Sequence, residues 1–281
     1  MPPYRLLAVD IDGTLVDRRD ELTPETREAL RRAGRSGIHV VLATGRRYSR
    51  SLHLAEALGF EVPLVTASGA LVTDPRDHRT LYRARFDDAV LCRAMAIIDR
   101  CGYDPVLCAD TYGQGFDFYR AREEVESPEL GEYFERNPGD GRVRPDLMTD
   151  PPPNVFSGFT MGTRDEMLEL ERTVGEQLPG GLSTSVLRSP MYSGFIYEFR
   201  PAGVTKWSAI RRLAEGWGIG DEAICAVGDD VNDIEMIRAA GLGVAMGNAV
   251  PEVKQAADRI CPAQADDGLA EVVEWLLGDT V

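Results

Sequence analysis

The chain has 281 residues, a formal net charge of −15, and an ordinary globular composition with 43% hydrophobic and 27% charged residues. At this length one hydrophobic core stops growing, so two domains, or a core carrying a large insert, are expected. The acidic balance argues against nucleic acid and anionic membrane surfaces as partners, and no apolar run approaches the roughly 18 residues of a membrane span.

Met1-Pro2-Pro3-Tyr4-Arg5 runs straight into an apolar segment and lacks the basic-then-apolar form of a secretory leader. The five cysteines (Cys92, Cys101, Cys108, Cys225 and Cys261) contain no C-x-x-C pair, which predicts small buried hydrophobes in a reducing cytoplasm. The three histidines lie far apart, so any metal is expected to be held mainly by oxygen. Lysine occurs only at Lys206 and Lys254, against 29 arginines, so each lysine raises the question of what arginine could not do there.

In chain order, Arg5 to Asp10 predicts a buried strand ending in a D-x-D-G turn. Thr23 and Pro24 start a helix to Arg35, with Gly37 just past its end. Ile38 to Ala43 predicts a second strand buried on both faces; a helix over Tyr48 to Leu58 and a short strand at Leu64 to Ala67 follow. From about Ala84 to Arg200 the rhythm changes. Helices are expected near Asp87 to Cys101 and Asp165 to Leu178, with short strands between and a Pro/Gly-rich stretch from Asn137 to Asn154. After Val204 the first rhythm resumes: helix to Trp217, strand Ala223 to Val227, helix from Asp233, strand Gly243 to Ala245, and a last helix near Leu269 to Leu277. The expected fold is α/β, a doubly wound parallel sheet built from residues 1–83 and 201–281, with an inserted α+β unit over 84–200. One continuous α/β domain is the alternative.

Four segments carry chemistry. Asp10 and Asp12, two residues apart on extended chain, project to one side beyond the end of the first strand, where α/β sheets collect ligands. A calcium loop is excluded because Leu15 stands where that loop needs glycine. Thr44-Gly45-Arg46 offers backbone N–H groups, a hydroxyl and a positive helix end to an oxyanion such as phosphate. Lys206 puts a cation in the first turn of a helix, where the dipole opposes it, so local stability does not explain it. Gly228-Asp229-Asp230-Val231-Asn232-Asp233 crowds more polar groups into one strand-to-helix turn than capping needs. Two like charges about 4 Å apart repel by ~4 kcal/mol at an effective dielectric near 20. Convergence of Asp10, Asp12, Asp229 and Asp233 therefore calls for a hard divalent cation, and oxygen-only ligands favour Mg²⁺.

The order D-x-D-G-T-L, T-G-R, a lone lysine and G-D-D-x-x-D resembles the haloacid dehalogenase superfamily of phosphohydrolases. The position of the insert, together with Gly247-Asn248-Ala249, is similar to its Cof-type subfamily. The resemblance implies Asp10 as nucleophile through an aspartyl-phosphate, and Asp12 as proton donor to the leaving oxygen and then as base for water. It further implies Thr44, Gly45 and Arg46 as phosphate binders, with Lys206 neutralising the phosphoryl charge and Asn232 touching it. Mg²⁺ would be held by Asp10, the Asp12 backbone carbonyl, Asp229 and Asp233. The implied substrate is a small phosphomonoester, a sugar phosphate first, read by the insert acting as a cap. Ser68-Gly69 departs from the Asn-Gly usual in relatives, and asparagine accepts left-handed backbone more readily than serine. Tyr112, Tyr119, Arg120, Arg122 and Tyr192 are cap candidates for leaving-group contacts and equally candidates for ordinary surface or core. The rivals are a phosphotransferase or mutase of the same superfamily, which would return phosphate to a sugar, and a receiver-like phospho-accepting module, which lacks an acid two residues after its acceptor.

Overall fold

The first apolar segment forms β1 (Leu6–Asp10), buried along its whole length. The computed structural model describes residues 3–17, 19–188 and 191–278. Thr23 caps α1 (Pro24–Arg35) by accepting a hydrogen bond from the Thr26 amide, with Pro24 in the first turn where its missing N–H costs nothing. β2 (His39–Ala43) returns parallel to β1, with Asp10 level with Ala43. A short 3₁₀ turn over Tyr48–Arg50 leads into α2 (Leu52–Leu58), which ends on left-handed Gly59. β3 (Leu64–Thr66) completes this half of the parallel sheet.

The sequence pattern did not mark the next hairpin. β4 (Leu71–Asp74) runs antiparallel to β3, and β5 (Arg79–Arg83) extends that edge, so the sheet is mixed there. Both strands are short and interrupted by an Asp-Pro-Arg-Asp-His turn, which leaves little periodicity to read.

The chain divides into two compact units, Met1–Tyr82 with Thr205–Val281, and Arg83–Val204. The second division falls beyond Arg200 because the last strand of the inserted unit pairs through Pro201. That unit contains α3 (Asp88–Arg100), β6 (Val106–Ala109), β7 (Phe118–Arg120), α4 (Pro128–Arg136), β8 (Gly141–Val143), β9 (Val155–Gly162), α5 (Arg164–Gln177), β10 (Leu182–Arg188) and β11 (Phe195–Pro201). Its sheet order is β10-β11-β9-β6-β7-β8. Met95 and Ile98 of α3 and Met167, Leu170 and Val174 of α5 pack with Tyr197 and Phe199 of β11 in one buried cluster. Tyr133 of α4 packs its ring at a steep angle against Phe118 and edge-on against Phe159. The Pro/Gly-rich stretch contains β8, which is short and largely exposed, and α4 lies just before it.

Back in the first unit come α6 (Lys206–Gly216), β12 (Ile224–Gly228), α7 (Ile234–Ala239), β13 (Leu242–Ala245), α8 (Pro251–Ala256), β14 (Arg259–Ile260) and α9 (Gly268–Leu277). The sheet order is β14-β13-β12-β1-β2-β3-β4-β5. α1 packs against α2 and α9, while α7 packs against α6 and α8, giving the two helix layers of a doubly wound α/β fold.

The link from β3 into α6 depends on one glycine. After β3 the chain makes a tight turn with Ala67, Ser68 and Gly69 all at positive φ, +46°, +51° and +101°. A Cβ on Gly69 would lie 2.1 Å from the Thr205 carbonyl oxygen and 3.0 Å from the Lys206 amide nitrogen. Ser68 holds left-handed backbone without the tolerance of asparagine. Gly69→Ala should destabilise the protein by about 2–4 kcal/mol, combining the φ penalty with backbone overpacking. The urea-unfolding midpoint measures this; a shift equivalent to under about 0.5 kcal/mol, the size of an ordinary surface substitution, would show that the turn does not brace α6.

Candidate active site

Three parallel strands end side by side. In register, β1 is flanked by β2 and β12, and their C-terminal residues are Asp10, Ala43 and Gly228. The loops leaving them are the segments 10–13, 44–46 and 229–233, so the sheet alone delivers the acidic turn, the Thr-Gly-Arg turn and the Asp-rich turn to one edge.

Lys206 supplies the fourth element. Thr205 and Ser208 cap the start of α6 reciprocally, the Thr205 hydroxyl accepting from the Ser208 amide and the Ser208 hydroxyl from the Thr205 amide. The ammonium is only 2% exposed. Its Nζ donates to Asp10 Oδ1 at 2.5 Å and to Asp233 Oδ1 at 2.7 Å. Burial disfavours its charge, but Asp10 and Asp233 together hold it well above the usual lysine range. A compact ammonium fits between two carboxylates where a planar guanidinium would not, which answers why lysine stands here.

Asp233 is fully buried and uses its other oxygen as well. Its Oδ2 accepts the backbone N–H groups of Asp229 and Asp230 at 3.1 and 3.2 Å. That fold-back requires Gly228, where a Cβ would sit 2.5 Å from the Asp233 carboxyl carbon. Asp229 lies against Gly13, whose φ is +79°; a Cβ there would come within 2.3 Å of Asp229 Oδ2. Asn248 ties the two turns together, its Nδ2 donating to the Gly13 carbonyl at 2.8 Å and to Asp229 Oδ2 at 3.3 Å. The Asn248 Oδ1 accepts from the Gln264 amide, and Lys254 Nζ donates to the Gly247 carbonyl at 2.6 Å.

Asp10, Asp229 and Asp233 each offer a carboxylate oxygen within 4.8 Å of the others. Burial, then the charge of Asp233, drives the Asp10 carboxyl well above its ordinary range, with Lys206 opposing. Burial, then Asp233 and Asp230, pushes Asp229 up to about 7. Asp229 Oδ1 is buried and has no hydrogen-bond partner. A buried carboxylate oxygen without a partner, inside an under-neutralised group of acids, means that the residues present fit a metal ion.

Asp12 stands apart from that group. Arg46 grips its carboxylate with a two-pronged bond, Nη2 to Oδ1 at 2.7 Å and Nε to Oδ2 at 2.9 Å. The third guanidinium nitrogen of Arg46 donates to Asp20 at 2.6 Å. Arg46 was expected on phosphate, but all three of its nitrogens already meet protein acceptors. The Asp12 carboxylate, expected among the metal-binding acids, is drawn toward the second strand instead. Thr44 is fully buried, and its Oγ1 accepts from the Arg46 amide at 3.0 Å; Gly45 and Asn232 are half-buried on their respective turns. In the inserted unit, Arg122 pairs with Asp99 and Asp104, Arg120 bonds to Glu123 over the Phe134 ring, and Tyr192 accepts from Asn137. These contacts give the three side chains structural work inside their own unit. Asn248 was marked by the sequence without a role, and Asp20 was not marked at all. Asn248 had a visible signal, Gly-Asn-Ala after β13; Asp20 had none, because its partner lies 26 residues away.

The model of the haloacid dehalogenase-like hydrolases matches residues 7–273. The chain belongs to that family. It is 29% identical over 274 residues to the 5-amino-6-(5-phospho-D-ribitylamino)uracil phosphatase YcsE of Bacillus subtilis, covering 97% of this chain and 96% of that protein. It is also 29% identical over 291 residues to phosphatase YwpJ of the same organism, covering 97% and 100%. The crystal structure of a haloacid dehalogenase-like hydrolase from Bacteroides thetaiotaomicron superposes with a TM-score of 0.78 at 27% identity, covering 97% of this chain and 99% of that one. This haloacid dehalogenase-like hydrolase is thus an enzyme of the phosphatase class, with the buried acid group and Lys206 at the sheet edge.

The raised Asp229 carboxyl has a definite sign. With its folded-state value moved from 3.8 to about 7, the metal-free folded protein holds a proton that the unfolded chain releases. Its contribution to stability is full below 3.8 and is lost as pH rises through about 7. A cation at the site replaces that proton. The rise in unfolding temperature on adding Mg²⁺ should therefore be larger at pH 8 than at pH 6, measured by thermal shift; equal rises would contradict a site at Asp229.

Proposed function

We propose that this hydrolase is a Mg²⁺-dependent phosphomonoester phosphatase working through an aspartyl-phosphate on Asp10. The observation that carries the reading is the buried Lys206 ammonium shared between Asp10 and Asp233, beside an Asp229 oxygen left without a partner. In this reading Asp10, the Asp12 backbone carbonyl and Asp229 hold the Mg²⁺. Asp233 contributes by fixing Lys206 and the Asp229–Asp230 backbone, since both of its oxygens are already engaged. When bound, the ion withdraws electron density from phosphoryl oxygens and neutralises the acids around it.

The chain's own residues do the rest. An Asp10 oxygen attacks phosphorus while the bond to the leaving oxygen breaks, and Asp12 gives that oxygen its proton. Asp12, now ionised, takes a proton from water as the water oxygen attacks the aspartyl-phosphate. Asp10 and inorganic phosphate are released. The Lys206 ammonium offsets the charge that accumulates on the phosphoryl oxygens. Thr44, the Gly45 backbone and Asn232 orient the group, so positioning and electrostatics supply most of the acceleration.

The substrate we propose is a small phosphorylated metabolite of the sugar-phosphate type, with the unit over 83–204 acting as the cap that selects its leaving group. The compound in the name of the relative YcsE bears its phosphate on a ribityl chain, a sugar alcohol, which belongs to that chemical class. A reducing cytoplasm suits five cysteines of which none is joined in a disulfide, and among the described residues no helix is long and apolar enough to cross a membrane.

With Mg²⁺, the purified protein should release inorganic phosphate from p-nitrophenyl phosphate and from members of a sugar-phosphate panel, and a chelator should stop it. Asp10→Asn should lower turnover by about three orders of magnitude or more while the far-UV circular dichroism of the fold is retained. Water, not a sugar, should be the acceptor: ¹⁸O from solvent should enter the released phosphate. Full activity in Asp10→Asn, or phosphate without solvent oxygen, would overturn the proposal.

A further inference from the structure

Arg46 does not end its reach at Asp12. On the far side of the guanidinium, Nη1 donates to Asp20 Oδ1 at 2.6 Å, and Asp20 Oδ2 lies 2.8 Å from His53 Nε2 near the start of α2. Asp12, Arg46, Asp20 and His53 thus form a chain of side-chain contacts that leads from the strand edge to the surface. The burial of Arg46 opposes its charge, but hydrogen bonds to Asp12 and Asp20 hold the guanidinium above its ordinary range. Burial of a cation is tolerated when acceptors meet it on both flanks, and the planar fork fixes the orientation of each carboxyl group.

Asp20 is aimed at this position by its own loop. Its φ is +66°, left-handed for a non-glycine residue, and its amide donates to the Asp17 carbonyl at 3.1 Å. The Asp17 carboxylate accepts from the Arg19 and Glu21 amides, bracing the loop on either side. Aspartate adopts this backbone more readily than most residues, and the surrounding loop holds it there. A rotamer-rich arginine reaching from a turn to an acid 37% exposed would otherwise be free to swing. Asp20 removes that freedom by holding the opposite edge of the guanidinium.

We infer that Asp20 and His53 are positioning residues for the proton donor Asp12, acting through Arg46, and that Arg46 serves Asp12 and not the phosphate. The inference rests on the reading of Asp12 as the acid that protonates the leaving group. Positioning matters for that step because an acid must sit within hydrogen-bond reach of the oxygen it protonates, and displacements of about 1 Å can cost up to 100-fold. The need is greatest for a basic leaving oxygen and small for one that departs readily as an anion.

The test compares kcat/KM for phenyl phosphate and p-nitrophenyl phosphate, which match in shape and differ in leaving-group basicity. This ratio reports steps up to aspartyl-phosphate formation, so it is blind to the later hydrolysis, and any misfolded fraction cancels between the two substrates. Asp20→Asn should lose about five- to tenfold more on phenyl phosphate than on p-nitrophenyl phosphate, with His53→Ala shifting the ratio less in the same direction. Asp12→Asn provides the reference. If it depends on the leaving group and Asp20→Asn does not, the relay is overturned and the acid role stands. If Asp12→Asn itself responds equally to both substrates, the acid reading fails and takes the relay with it.

Discussion

A buried ammonium held by two carboxylates is the interaction on which the rest of the site depends. Removing Lys206 from water is expensive, and only the paired charges of Asp10 and Asp233 make that position tenable. The reverse holds as well: three acids from two distant segments crowd one space because a cation stands among them. Losing one partner of such a buried pair typically costs about 3–5 kcal/mol, so the same contact that prepares Asp10 for chemistry also holds α6 to the sheet. The arrangement remains incompletely neutralised, as the raised Asp10 and Asp229 carboxyls and the orphaned Asp229 oxygen reveal. That imbalance is the physical opening for a divalent ion and for a phosphoryl group.

Missing side chains set the distances. Gly13, Gly69 and Gly228 each face an atom that a Cβ would overlap: the Asp229 carboxylate, the Thr205 carbonyl and the Asp233 carboxylate respectively. These glycines let separate turns approach to contact, and the charged groups then lock the approach. Asn248 adds a hydrogen-bonded strap between the Gly13 carbonyl and Asp229 from a fifth segment of chain. The site is therefore over-determined by the core fold, as a preorganised electrostatic site must be.

Much of this was legible in the sequence because parallel sheets translate order into place. Apolar runs at 5–10, 38–43 and 223–227 gave the strands, and chemistry-bearing residues just after each had to meet at one edge. The scarcity of lysine drew attention to Lys206, whose burial then explained why arginine would not serve. Short strands escaped for lack of periodicity: β4, β5 and β8 each span too few residues to show a face, whereas α4 carried a Ser-Pro start and an apolar face that went unread. Side-chain pairing escaped for a different reason. Whether Arg46 reaches a phosphate or Asp12 is decided by rotamers and by Asp20 on a separate loop, and no local pattern encodes that choice. The local pattern marked the turn that carries Arg46, and the fold sets its guanidinium against Asp12 and Asp20.

The most direct measurement is a crystal structure of the enzyme grown with Mg²⁺ and tungstate, an unreactive mimic of the phosphoryl group. The account predicts an ion bound to the Asp10 and Asp229 carboxylates, the oxyanion against the Lys206 ammonium, and Arg46 still paired with Asp12. An ion bound away from Asp10, or Lys206 turned from both Asp10 and the oxyanion, would contradict it.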